Sequence, residues 1–117
     1  MKKATIIGRG TAGTLAYLKM LSLRSNSEGP LEIEWYYDNS TKAMAVGEGT
    51  TPRFSKSLYK VQGLSMGTDM HKLDARPKHG IEYENWGKAD FVHPFNMGYH
   101  GIHFNASKFQ QHVFENC

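Results

Sequence analysis

At 117 residues, of which 39% are apolar and 21% charged, the chain has the composition of one folded domain or a portion of one, not of a disordered tail. Its net charge of +3 comes from 14 Lys and Arg scattered among 11 Asp and Glu, which excludes a nucleic-acid-binding footprint. The one cysteine, Cys117, excludes an internal disulfide and a cysteine-based metal site and fits a reducing, cytoplasmic setting, and no apolar run approaches the ~20 residues that span a bilayer.

The first element in chain order is a short β-branched apolar run, Ala4 to Ile7, read as a buried parallel strand. Glycines follow at 8, 10 and 13, and from Thr11 the residues Leu15, Leu18, Leu21 and Leu23 recur at roughly helical spacing until Ser25-Asn26-Ser27-Glu28-Gly29-Pro30 stops the helix. Leu31, Ile33, Trp35 and Tyr37 then alternate with Glu32 and Glu34, the pattern of a second strand, and Asp38 closes it. Asn39 to Thr51 reads as a loop. Pro52 opens a helix carrying Phe54, Leu58 and Val61 on one face and ended by Gly63, and a short helix is predicted around Gly67 to Ala75. Gly80 to Trp86 and Gly98 to Phe104 alternate as strands, and Asn105 caps a last helix with Phe104 and Phe109 placed as a hydrophobic staple.

The turn Gly8-Arg9-Gly10-Thr11-Ala12-Gly13 carries the chemistry of the first half. A strand, this turn, a helix and a second strand form the βαβ unit that binds dinucleotides. Gly8 permits the tight turn, Gly10 lets the backbone approach a phosphate, and Gly13 lets the helix pack on the strand. The free N–H groups at the helix start, Thr11 and Ala12 among them, face an anion. Asp38 stands where a carboxylate accepts hydrogen bonds from a ribose diol, and an acid there argues against a 2′-phosphate, leaving FAD or NAD. The bland alternative is a glycine turn that only packs helix on strand. For the six histidines a metal site is not expected, because His100 and His103, three apart on a strand, point to opposite faces.

Three further stretches distinguish FAD from NAD. Val46-Gly47-Glu48-Gly49-Thr50-Thr51-Pro52 resembles the VGEATIP segment of flavin-dependent tryptophan halogenases, which follows the second strand and contacts the flavin. Arg76-Pro77-Lys78-His79-Gly80-Ile81-Glu82-Tyr83-Glu84-Asn85-Trp86 resembles the segment in which that family's catalytic lysine precedes a strand ending in Asn-Trp. His93-Pro94-Phe95 is similar to the His-x-Phe segment beside the substrate. With the glycine turn, the order matches the family's N-terminal region along nearly the whole chain; Arg9 replaces a glycine, Gly49 an alanine and Thr51 an isoleucine.

The resemblance implies an α/β, Rossmann-like FAD-binding fold over residues 1–117, an incomplete portion of a larger flavin-monooxygenase-like fold. It implies reduced FAD supplied by a separate flavin reductase, oxygen, and a halide co-substrate oxidised to hypohalous acid, which reaches Lys78 beside a small electron-rich aromatic substrate. Lys78 would polarise the acid by hydrogen bonding or, as an amine, form a haloamine. Gly8, Gly10, Thr11, Ala12, Gly13, Asp38, Val46, Gly47 and Glu48 would bind the cofactor, and His93 and Phe95 the substrate. Each has a plainer reading: Lys78 as an exposed loop lysine, Glu48 as a loop acid whose neighbouring backbone matters more, Trp86 as core or as a cavity wall, His93 and Phe95 as core packing. The family's Trp-x-Trp-x-Ile-Pro motif and the glutamate that works with the lysine are not in this sequence, so the chain alone is expected to be inactive, completed by the remainder of a longer chain or by a homo-oligomer. A different FAD-dependent monooxygenase and a non-catalytic nucleotide-binding module stay open beside the halogenase.

Overall fold

β1 is Lys2–Ile7, two lysines longer than the apolar run, and only Ile6 of it is buried, with Ile7 85% exposed, so it is not the buried strand expected; the glycine turn follows, Thr11–Ser25 forms α1, and Leu31–Tyr36 returns as β2. These elements belong to a computed structural model that describes residues 1–26, 29–42, 47–59, 68–96 and 98–116. β1 and β2 are parallel, in register from Lys2 opposite Leu31 to Ile7 opposite Tyr36. A parallel pair needs a crossover between its strands, and α1 supplies it, so the predicted βαβ unit is present. α1 stops at Asn26, whose N–H donates to the Leu23 carbonyl at 3.1 Å.

Beyond β2 the chain builds a second, antiparallel sheet from three short strands: β3 (Gly47–Gly49), β4 (Arg76–Lys78) and β7 (Gly101–Asn105), with β7 in the middle. Between them lie α2 (Pro52–Tyr59) and a hairpin of β5 (Gly80–Tyr83) and β6 (Phe91–Pro94), and α3 (Ala106–Asn116) follows β7 directly. The whole is a mixed α/β arrangement. Among the described residues, no helix is long and apolar enough to cross a membrane.

β7 is central because its pleat sorts its side chains. Ile102 and Phe104 point inward and are buried, while His103 points out. They meet Leu18 of α1, Leu58 of α2, Leu73, and Phe109 and Val113 of α3 in one apolar core, with Phe54 stacked 5.9 Å from the Phe104 ring. The buried positions of α3 are Ala106, Phe109, Gln110 and Val113, the three-and-four spacing of a single helical face. That face lies against both α1 and β7 and so joins the βαβ unit to the second sheet. The predicted start of α3 is formed as expected: Asn105 Oδ1 accepts the Lys108 N–H at 3.0 Å, and the Phe104 and Phe109 rings meet edge to face at 5.3 Å.

Several expectations need correction. The loop expected over Asn39 to Thr51 contains β3, whose three residues alternate too briefly to register as a strand and exist because β7 offers them a partner. The helix expected around Gly67 to Ala75 is, over its described part from 68, a series of turns with mixed spacing, Lys72 and Leu73 N–H to the Asp69 carbonyl and Ala75 N–H to that of Met70. The strand expected to run to Trp86 ends at Tyr83. Asn85 takes a positive φ of 55° with its N–H held by Asp90, and Trp86 is 69% exposed, so it is not a core residue. The strand expected from Gly98 begins at Gly101, since Gly98 itself has a φ of 82°. Val61 and Gly63 lie outside the described residues.

Phe109, with no exposed surface, sits where α1, α3 and β7 converge. Phe109→Ala is expected to cost about 3–5 kcal/mol of stability, and Phe114→Ala, 44% exposed, distinctly less, as measured by denaturant unfolding.

Candidate functional site

The turn between β1 and α1 is fixed by backbone geometry before any side chain acts. Gly8 has a φ of 100°, a conformation that side chains rarely tolerate, and its N–H donates to the Tyr36 carbonyl of β2 at 2.8 Å. A Cβ at Gly13 would overlap the Gly8 carbonyl oxygen, so glycine there is a requirement of packing. Gly10 differs from both. It is the N-cap of α1 with an ordinary extended backbone, and a Cβ built on it meets no described atom within 4 Å. No contact among the described residues requires glycine at this position.

What Gly10 faces is a cavity of about 760 Å³. The turn lines one wall, the loop after β2 with Asp38 another, Gly47 and Asn105 the sheet side, and Gln110 of α3 the floor. Gly10 gives α1 no side-chain cap of its own. The positive end of the helix dipole faces the space. Thr11 and Glu48 line an adjacent hollow of about 470 Å³ that continues along α2 at Phe54. Ala12 is exposed, and Val46 lies outside the described residues.

Asp38 is prepared as an acceptor. Its Oδ1 receives the Ser40 N–H at 2.7 Å and the Ser40 hydroxyl at 2.6 Å, and its Oδ2 the Thr41 hydroxyl at 2.7 Å. These bonds, the Ser40 hydroxyl first, hold its carboxyl at about 2. The carboxylate is exposed and lines the cavity. Sequence reasoning placed this carboxylate and missed the loop hydroxyls that fix it.

It also missed the supports of the turn. Trp35 Nε1 donates to the Gly8 carbonyl at 2.8 Å while its ring stacks on Tyr17 at 4.5 Å. The Arg9 guanidinium lies between the rings of Tyr37, at 5.0 Å, and Phe114, at 4.7 Å. That packing gives the arginine at position 9 a structural use, a cation held by two aromatic faces beside the glycine turn. No sequence signal ties Phe114 to Arg9, because the contact spans most of the chain.

The tryptophan halogenase family model matches residues 3–116 of this chain. The chain belongs to that family. No curated protein matches it. Membership places the chain in a class of flavin-dependent enzymes.

In this halogenase-family chain Lys78 is the last residue of β4, opposite Gly101 of β7, and half-buried, so it is not the exposed loop lysine of the plainer reading. Strand alternation puts Lys78, His103, Gly49, Gly47 and Asn105 on one face of the three-stranded sheet and Glu48, Ile102 and Phe104 on the other. Lys78 thus shares a face with the sheet side of the large cavity; its pair partner Gly101 lies four residues along β7 from Asn105, about 13 Å. Its Nζ reaches back toward Gly49, where an added Cβ would stand 3.4 Å from it and, more tightly, 3.1 Å from His103 Nδ1. Lys78 Nζ lies 6.0 Å from the Phe95 ring, and His93 is 6.4 Å from the same ring. His93 is exposed and Phe95 half-buried, so neither is a core residue. The structure therefore gathers Lys78, Phe95 and His93 at one place and the glycine turn, Asp38 and Gly47 at another.

The hydrogen bonds of Asp38 give a pH prediction. Its folded value, about 2, lies below the ordinary 3.8, so the ordering of the 38–41 loop is complete above pH ~4 and is lost as pH falls through about 2. The Ser40 amide resonance, followed by NMR, is expected to titrate with a midpoint near 2 and to stay constant between pH 5 and 8.

Proposed function

We propose that this chain is the FAD-binding, lysine-bearing portion of a halogenase that oxidises halide to hypohalous acid and delivers it to an electron-rich aromatic, indole-like substrate. The observation that carries the reading is Gly10: a glycine that no contact among the described residues requires, at the start of α1, facing a cavity of dinucleotide scale. A backbone without a side chain at that point lets a pyrophosphate approach the helix start. Family membership favours a flavin over a nicotinamide cofactor.

In this reading the turn Gly8 to Gly13 holds the pyrophosphate, Asp38 accepts from the adenosine ribose, and Gly47 and Glu48, with Val46 beside them, border the flavin end. When bound, reduced FAD from a separate reductase supplies, with oxygen, the oxidation of halide to hypohalous acid. The chain's own part comes next. Lys78 Nζ donates a hydrogen bond to the hypohalous acid oxygen, drawing electrons from the oxygen–halogen bond. The aromatic carbon attacks the halogen, that bond breaks, the oxygen leaves as water, and the ring loses its proton. Phe95 and His93, gathered beside Lys78, wall the place where the ring lies.

The open edges of the β1–β2 pair, with Ile7 85% exposed, and the solvent-facing Phe91 and Val92 of the hairpin support placing further parts of a larger flavin domain around this chain. A cytoplasmic setting belongs to the same reading.

Two measurements test it. Gly10→Ala is expected to leave the melting temperature unchanged while weakening FAD binding at least about tenfold, read by fluorescence titration, because the added methyl occupies ligand space only. The longest natural form, given reduced FAD, oxygen and bromide, is expected to brominate indole, with Lys78→Ala losing the product by mass spectrometry and retaining flavin. Bound flavin without halogenated product would favour a non-halogenating monooxygenase.

A further inference from the structure

The start of α1 has a cap that sequence order hides. Gly10, the N-cap, has no side chain with which to satisfy the first helical N–H groups. Gln110, ninety-nine residues after Thr11 and only 8% exposed, reaches that turn from α3. In the orientation that satisfies both of its neighbours, Gln110 Nε2 donates to the Arg9 carbonyl at 3.0 Å and Oε1 accepts the Thr11 N–H at 3.2 Å. The reverse orientation sets its oxygen against the Arg9 carbonyl oxygen and leaves Nε2 3.4 Å from the Thr11 hydroxyl. Gln110 also lines the large cavity beside Gly10.

We propose that Gln110 is a placeholder for the cofactor's pyrophosphate: its amide oxygen occupies the Thr11 N–H in the cofactor-free chain and yields it when the anion binds. The inference rests on the dinucleotide reading given above. Its physical basis is competition for one donor. An N–H has a single direction, so an oxygen on it excludes another. A buried donor left empty is costly, which is why an uncapped helix start packed under α3 recruits a polar side chain. A neutral amide satisfies that donor weakly enough to be displaced, because hydrogen bonds to a charged oxygen are roughly twice as strong as neutral ones. A carboxylate in the same place would hold the N–H more firmly and repel the ligand. The choice of glutamine at a buried position of an otherwise apolar helix face fits a cap that must be released.

The placeholder makes stability and affinity move in opposite directions, which a mere brace would not. Gln110→Ala is expected to lower the melting temperature of the cofactor-free chain and to tighten FAD binding about fivefold, the size of one net hydrogen bond no longer displaced. Gln110→Glu, which keeps an acceptor for the Thr11 N–H but sets a carboxylate oxygen against the Arg9 carbonyl, is expected to lower the melting temperature and to weaken FAD at least about tenfold. Inorganic pyrophosphate, titrated as a competitor, should follow the same order. Parallel loss of stability and FAD affinity in Gln110→Ala would make Gln110 a structural brace and overturn the proposal, as would unchanged affinity in both variants. A wild-type chain that binds neither FAD nor pyrophosphate would remove the dinucleotide reading and the placeholder with it, whereas wild-type binding that both variants share would remove the placeholder alone.

Discussion

Everything else in this molecule depends on the backbone of one turn being held open. Gly8 stands at a φ of 100° because the chain must reverse from β1 into α1 within a few residues, and α1 can sit so close only because Gly13 lacks a Cβ. Such a turn is soft unless its carbonyls and N–H groups have fixed partners. Here they do: the Tyr36 carbonyl and Trp35 indole hold Gly8 from β2, and the Gln110 amide holds Arg9 and Thr11 from α3. The turn is therefore a junction between the β1–β2 pair and α3, and its outer side, at Gly10, faces the cavity.

α3 gives this arrangement its reach. The apolar face of α3 fills the core through Phe109 and Val113, while at Gln110 the same face changes from apolar packing to a polar contact with the turn. Its last turn adds Phe114 to the aromatic group around Arg9. One helix thus couples core packing to the shape of the cavity, so losing its docking would loosen the ligand site even though most of its residues never face it.

The three-stranded sheet divides the chemistry by its pleat. Its buried face feeds the core through Ile102 and Phe104, and its other face carries small residues, Gly47, Gly49 and Gly101, between the cavity and Lys78. Glycines weaken a strand, and packing within the sheet demands two of these: a Cβ at Gly101 would overlap the Thr50 carbonyl, and one at Gly49 would crowd the His103 ring. The cost is partly met by Thr50, which extends β3 with a backbone bond and a hydroxyl bond to Ile102 at 2.9 Å each.

The sequence by itself determined the elements whose signals are local. The β-branched run, the three glycines at fixed spacing, the alternation from Leu31 and the Asn105 cap with its Phe104–Phe109 staple each depend on residues within a few positions of one another, so the βαβ unit and the start of α3 were legible, as was Asp38. The motifs around Gly47, Lys78 and His93 were legible as words but not as an arrangement. Only tertiary structure decided that β3 is a strand, since three residues with two glycines pair solely because β7 lies beside them. It also decided that Trp86 lies in solvent and that Lys78 shares a face with Gly49. Gln110 and Arg9 are the clearest cases. Their partners are about a hundred residues away, and side-chain periodicity carries no information about which distant backbone group an amide will reach or which ring a guanidinium will meet.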